Sequence, residues 1–161
     1  MNVQEQKNFE DTINKYKDMV YRIAFTYCKN PHDAQDITQE VFLSYITSNS
    51  TLVGEHLKAW LITVTSNKCK NLLRSSWFTK IKPFNDYTQI QFQEDKDYNL
   101  YSAVMSLPKK YRIVIYLFYY EDYSTKEIAE MLGKNESTIR SHLARARKKL
   151  KTLLLEDWDN E

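Results

Sequence analysis

The stretch STKEIAEMLGKNESTIRSHLARARKKL, residues 124–150, decides the fold of this chain. Ser124 is a good N-cap, and Glu127 three residues later completes the reciprocal pattern of a capping box. Ile128, Met131 and Leu132 follow at helical spacing, and Gly133 supplies the left-handed stop that ends a helix. After a short polar turn, Glu136 or Ser137 caps a second helix. Its buried stripe is Ile139, Leu143, Ala146 and Leu150, at steps of four, three and four. Two short amphipathic helices around a tight turn, the second basic, predict a DNA-binding helix-turn-helix with the second helix in the major groove. A basic helix is also commonly just a solvated face, so the competing reading is a helical hairpin in a protein-binding bundle.

Composition narrows the rest of the chain. Two Gly and three Pro among 161 residues argue for helix and against a turn-rich β protein. The net charge of +2 marks no nucleic-acid binder by itself, but its placement does. Lys126, Lys134, Arg140, Arg145, Arg147, Lys148, Lys149 and Lys151 crowd the motif, opposed only by Glu127, Glu130 and Glu136. Cys28 and Cys69 stand apart from one another and from any metal-ligand spacing, so the expectation is two reduced, buried thiols and no zinc site. No apolar run is long enough to span a bilayer and the N-terminus does not read as a signal peptide, so the chain is expected to be soluble and cytoplasmic.

Upstream, Phe9, Ile13, Tyr16, Val20, Ile23 and Tyr27 recur at three- and four-residue steps and predict one helix over 6–28. Asn30 and Pro31 then cap and open a second helix, 31–47. Around it Ala34, Ile37, Val41 and Tyr45 point towards a core, and Asp36, Gln39, Glu40 and Leu43 point away. An acidic face needs no leucine at its centre to stay solvated. With Phe42 widening the apolar edge, this face suits docking on a basic partner surface. A polar loop, 47–56, carries Leu52 and Val53 at its tip.

A third helix is predicted over 57–77, with Leu57, Leu61, Val64 and Leu72 buried and the Lys68 stem lying over them. Its other face carries Trp60, Thr63, Asn67, Lys70, Asn71 and Arg74, an aromatic ring, amides and cations able to stack on bases and neutralise phosphates. Periodicity fails from 78 to 98, which reads as a linker whose Phe84, Tyr87 and Phe92 can rest on a surface. Helices over 100–107 and 109–120 follow, the latter with Ile113, Tyr116, Leu117 and Tyr120 on its core side. An acidic tail, 156–161, with Trp158, is expected after the last helix. There is no Gly-rich phosphate loop, nucleophile elbow or paired acid and base, so nothing points to an enzyme.

In order, these segments resemble an extracytoplasmic-function (ECF) sigma factor of the sigma-70 family. Residues 33–43, DAQDITQEVFL, resemble the region 2.2 signature. Lys58-Ala59-Trp60-Leu61 through Asn67 resemble regions 2.3 and 2.4. Leu107-Pro108, Tyr111-Arg112 and the helix-turn-helix resemble region 4. The resemblance implies an all-α chain of two small helical domains, 1–78 and 99–161, joined by a flexible linker over 79–98. It implies an initiation factor that binds core RNA polymerase through the β′ clamp helices and the β flap, needs no cofactor, and is held by an anti-sigma factor that is often membrane-bound.

Carried over residue by residue, Asp36, Gln39, Glu40 and Leu43 fall on the polymerase surface. Trp60, Asn67, Lys70, Asn71 and Arg74 fall on the −10 face, and the 47–56 loop on the part that holds a flipped-out base. Arg140, Ser141, His142, Arg145, Lys148 and Lys149 fall on the −35 helix. Ser66, where the family often has Arg, Asn71, where it often has Asp, and His142, where a longer basic residue is common, depart from the pattern. Two other classes stay in view: an ordinary operator-binding regulator, which has no need of the Asp36/Leu43 or Asn67/Asn71 faces, and a helical module whose basic helix binds acidic protein.

Overall fold

The computed structural model describes residues 1–75 and 95–159, with side-chain surroundings over 1–75 and 100–155. Of the stretch read as a linker, residues 78–94, with Phe84, Tyr87 and Phe92, lie outside the described residues, as do Trp77 and the side chain of Trp158, whereas residues 95–98 are already helical and open the helix expected only from 100. The described residues fall into two compact units, and all their regular structure is helical.

The first unit holds α1 (Val3–Cys28), α2 (Pro31–Thr47) and α3 (Gly54–Arg74). Helix α1 starts earlier than its apolar repeat, because Asn2 and Glu5 form a capping box: the Glu5 N–H donates to Asn2 Oδ1 at 2.8 Å. It stops at Lys29, whose φ of 54° is left-handed. Asn30 then caps α2, its Oδ1 accepting from the N–H groups of His32 and Asp33 at 2.9 and 3.1 Å, with Pro31 in the first turn where no N–H is needed. The three helices bury Val20 and Ile23 of α1, Ala34, Ile37 and Val41 of α2, and Leu57, Leu61 and Ile62 of α3.

Two details of this core differ from expectation. In α3 the buried side is Leu57, Leu61, Ile62, Thr65, Ser66 and Cys69, while Val64 and Leu72 are only half-buried. The stripe advances in steps of four through a polar residue, and Thr65 is accommodated because its hydroxyl donates to the Leu61 carbonyl at 2.6 Å. In α2, Phe42 is 6% exposed and belongs to the core, so Leu43 stands as the apolar residue of the acidic face without it.

The second unit holds α4 (Asp95–Ser106), α5 (Lys109–Ile115), α6 (Thr125–Leu132) and α7 (Glu136–Asp159). Its core is Val104, Leu107, Val114, Leu117, Ile128, Ile139, Leu143 and Ala146. Arg112 is buried and donates from Nη1 to the Leu107 carbonyl at 2.7 Å, tying α5 back to the end of α4. After Ile115 the helix widens into a π-helical turn, Tyr116–Tyr120. The Glu121 N–H donates five residues back, to the Tyr116 carbonyl at 3.3 Å. The wider turn stacks Tyr120 on Tyr116, rings 5.5 Å apart and 15° from parallel, and leaves Tyr120 47% exposed instead of in the core. Helix α7 continues to Asp159, so the acidic stretch begins inside it and not after it.

The contrast between two leucines is measurable. Leu61 has no exposed surface and Leu43 is 63% exposed. In urea unfolding followed by circular dichroism, Leu61→Ala should cost about 2–5 kcal/mol and Leu43→Ala within about 0.5 kcal/mol. Equal losses would contradict the placement of Leu43.

Candidate polymerase and nucleic-acid interfaces

On α2, the core side packs so fully that Asp36, Gln39, Glu40 and Leu43 are left together on the outside. Glu40 also reaches α3, its Oε2 lying 3.9 Å from Lys68 Nζ. Lys68 is therefore a partly covered link between the helices, in addition to any cover its stem gives the core.

On α3, the buried steps of four turn Asn67, Asn71 and Arg74 fully outward, with Lys70 half-buried beside them. From Trp60 to Arg74 this face runs roughly 21 Å at the helical rise. Trp60 differs from the others. It is half-buried, with its ring 6.3 Å from that of Tyr45, which meets Phe9 edge-on at 5.3 Å. Trp60 thus closes an aromatic chain across α1, α2 and α3, with only part of its ring left for a base.

The segment before α3 turns through Asn49 and Gly54, both at positive φ (51° and 60°). The Leu52 N–H donates to Ser50 Oγ at 3.1 Å, and Val53 is 74% exposed at the tip. Between this loop and the first turns of α1 lies an open cavity of about 460 Å³, walled by Phe9, Asp11, Lys15 and Tyr16 on one side and Ser50 to Gly54 on the other. The sequence marks Phe9 and Tyr16 of the α1 wall as members of an apolar repeat and not as parts of a site, and singles out neither Asp11 nor Lys15. The wall's signal was present in the half-buried Phe9 and Ile13, which begin the apolar repeat before the helix is fully covered.

In the second unit the helix-turn-helix is built as its residues dictate. The Glu127 N–H donates to Ser124 Oγ at 3.1 Å and the Ser124 N–H to Glu127 Oε1 at 3.2 Å, and Gly133 ends α6 at φ 65°. Helix α7 begins with Glu136 itself inside the first turn, so the expected cap at Glu136 or Ser137 is displaced to Asn135, whose carbonyl accepts from the Ile139 N–H at 3.2 Å. The Glu136 carboxylate accepts from Thr125 Oγ1 at 3.1 Å and pairs with Arg140 at 3.3 Å, bracing one helix of the motif against the other.

Arg140, Ser141, Arg145, Lys148 and Lys149 are all exposed on α7, opposite Ile139, Leu143, Ala146 and Leu150. His142 sits lower, half-buried, its ring edge-on to Tyr111 at 5.5 Å, with Lys110 Nζ 5.2 Å from the other ring's centre. Arg147, left out of the residues read as DNA contacts, donates from Nε to the Tyr119 hydroxyl at 2.6 Å and stacks over Phe118 and Tyr119. It holds α7 to the π-helical turn. Among the described residues no group of three or more His, Cys, Asp or Glu could hold a metal ion, and no helix is long and apolar enough to cross a membrane.

The chain matches Sigma-70 region 2 over residues 12–79 and Sigma-70, region 4 over residues 98–150. It belongs to the sigma-70 family. It is similar to RNA polymerase sigma factor SigV of Bacillus subtilis (strain 168), 35% identical over 152 residues and covering 90% of each chain. It is also similar to the ECF RNA polymerase sigma factor SigW of the same organism, 26% identical, covering 93% of this chain and 90% of the relative. The fold is shared with a solved structure, the sigma factor RpoE of Bartonella quintana in complex with the anti-sigma factor NepR. That match has a TM-score of 0.70 at 23% identity and covers 92% of this chain and 97% of the other. These likenesses put the chain in the ECF branch of the sigma-70 family. The α2 and α3 faces of this sigma factor lie in its region 2 and the helix-turn-helix in its region 4.

His142 should make the stability of the region 4 unit depend on pH. Burial beside Tyr111, then the charges of Lys110, Lys134 and Arg145, pull its pKa below the usual value. The folded state therefore binds fewer protons here than the unfolded state. This contribution to stability is complete above about pH 6.5 and is lost as pH falls through the lowered folded value. Urea midpoints should fall more steeply between pH 7 and pH 5 in the wild type than in His142→Asn. Parallel profiles would contradict the assignment.

Proposed function

We propose that this ECF sigma factor docks on core RNA polymerase through Asp36, Gln39, Glu40 and Leu43, holds the −10 element with α3 and its preceding loop, and reads the −35 element with α7. The observation that carries this reading is the pairing of an outward leucine on the acidic α2 face with an outward amide and cation face on α3, within one small unit. An operator-binding regulator has use for neither.

The chemistry assigns different work to each face. Leu43 loses exposed apolar surface on docking, and the surrounding carboxylates favour a basic partner such as the β′ clamp helices. Asn67 and Asn71 can hydrogen-bond unpaired base edges, with Lys70 and Arg74 neutralising phosphates. The cavity beside the 50–54 loop has room for one extruded base, whose stacking and hydrogen bonds offset the few kcal/mol of unpairing. In the major groove Arg140, Ser141 and Arg145 supply base or phosphate contacts, a good bidentate base contact being worth about 1–3 kcal/mol of discrimination. Lys148 and Lys149 supply phosphate contacts that strengthen binding without choosing sequence. His142, held against Tyr111, reaches DNA at most with its outer edge.

We place the domain limits at 1–78 and 99–161, with 79–98 between them, and the β flap as the partner of region 4. The factor works where polymerase and DNA are, in the cytoplasm, and does no catalysis itself. Two structurally similar proteins are solved with partners, the sigma factor RpoE with the anti-sigma factor NepR and CnrH with the cytosolic domain of CnrY. The first of them supports control of this chain by a dedicated anti-sigma protein.

Docking on polymerase is tested with the full chain and purified core enzyme. Leu43→Glu and Asp36→Lys should each weaken core binding tenfold or more in a fluorescence titration. Both residues are exposed, so the variants should melt like the wild type. Asp36 is a cleaner probe than Glu40, whose charge also faces Lys68. Wild-type affinity in both variants would refute the α2 assignment.

A further inference from the structure

Among the cations of α7, Arg147 is held by aromatic rings. Its Nε donates to the Tyr119 hydroxyl at 2.6 Å. Its guanidinium carbon lies 5.3 Å from the centre of the Phe118 ring and 5.5 Å from that of Tyr119. The two rings meet edge to face, 75° apart in plane with centres 5.0 Å apart, so the guanidinium is bounded by both. The π-helical turn Tyr116–Tyr120 brings them to the surface, with Phe118 half-buried and Tyr119 exposed.

This arrangement leaves a charge over. Among the described residues no carboxylate pairs with Arg147. Glu136 is taken up by Arg140 and Thr125, and the Glu121 carboxylate accepts from the Tyr116 hydroxyl at 3.0 Å. The Arg147 Nε–H is engaged, while both Nη groups keep their N–H donors in one plane, the fork that matches a phosphate. The Tyr119 oxygen accepts the Arg147 bond, so its own hydrogen stays available to donate beside that fork. A strap between the π-helical turn and α7 needs no charge. An arginine stacked and pinned in this way has already given up rotamer freedom that an oxyanion would otherwise have to take from it.

Position on α7 indicates which oxyanion it meets. Ser141, Arg145 and Lys148 share the outermost side of the helix, and Arg147 stands about a third of a turn round from them. That flank also carries Arg140, two turns earlier and about 10 Å away along the axis. A helix with its side chains is about 10–12 Å across, and the major groove is about 12 Å wide. A helix seated there has bases under its outermost side and a sugar–phosphate wall along its flank.

We infer that Arg147 and Tyr119 form a preordered phosphate fork that grips the DNA backbone along one wall of the −35 major groove. The ligand is a backbone phosphodiester, whichever base it carries. The fork strengthens region 4 binding without choosing sequence, and the aromatic turn is the part that orders it. It rests on the reading that region 4 seats α7 in the major groove.

Two probes are used with the full chain. One is random-sequence duplex DNA bound by the protein alone; the other is the set of duplexes that its holoenzyme with core polymerase enriches from that pool. Affinity is followed by fluorescence anisotropy between about 50 and 200 mM salt. Arg147→Gln should weaken both interactions about fivefold or more, and the slope of log affinity against log salt should become shallower by about one on each. Arg147→Lys and Tyr119→Phe keep the cation but lose the fork or its pin, so each should weaken binding about two- to fivefold with the slope unchanged. All three should keep the wild-type helical signal in circular dichroism.

A wild-type slope in Arg147→Gln overturns the proposal, because a brace alone changes stability and not the number of phosphates neutralised. So does a loss confined to the enriched duplexes, which would make Arg147 a base contact. If Arg147→Gln loses its helical signal, the other two variants decide, and wild-type affinity in both overturns the proposal. A wild-type holoenzyme that enriches no common sequence would instead condemn the sigma reading, while the slopes on random-sequence DNA would still decide the fork.

Discussion

The buried stripe of α3 governs region 2. Leu57, Leu61, Thr65 and Cys69 succeed one another at steps of four, with Ile62 and Ser66 beside them, and all six are withdrawn from solvent. Because a helix repeats every 3.6 residues, committing that side to the core commits Asn67, Asn71 and Arg74 to the outside. Thr65 tolerates burial by returning its hydroxyl to the Leu61 carbonyl. The same packing sets α2: with Ala34, Ile37, Val41 and Phe42 turned inward, Leu43 and its acidic neighbours have only solvent to face. Both proposed interfaces of region 2 are thus consequences of one core.

Region 4 solves a different problem, holding a basic helix steady while its charges stay available. Apolar burial of Ile139, Leu143, Ala146 and Leu150 supplies most of the hold. Polar ties supply direction: Glu136 to Thr125 at one end, and Arg147 to the Tyr119 hydroxyl further along. The cations of α7 therefore fall into two groups. Arg147 is engaged with the aromatic π-helical turn, whereas Arg145, Lys148 and Lys149 project into solvent, and Arg140 does so with Glu136 at its side.

Much of this was legible in the sequence because it is local. The Ser124–Glu127 box, the Gly133 stop, the Asn30 cap and the outward set on α2 all follow from spacing over a few residues, and all form as read. What escaped depends on neighbours remote in sequence or on a change of helical period. Phe42 and Leu43 differ by one step, and only the packing of α1 and α3 against α2 decides which of them is covered. Tyr120 would join Tyr116 and Leu117 in the core of an uninterrupted α-helix, but the π-helical turn carries it outward. Val64 and Leu72 lost their place in the α3 stripe to Thr65 and Cys69, since position on the helix outweighs hydrophobicity. The cavity between α1 and the 50–54 loop exists only once the three helices pack.

The central claim is that this chain confers promoter choice on a polymerase that lacks it. The most direct measurement is transcription of fragmented genomic DNA by purified bacterial core polymerase, with and without the full chain, followed by sequencing of the RNA 5′ ends. New start sites should arise only with the protein present and share two upstream sequence elements at fixed separation. Tight, sequence-specific DNA binding by the free protein, with no change in the 5′ ends, would contradict it.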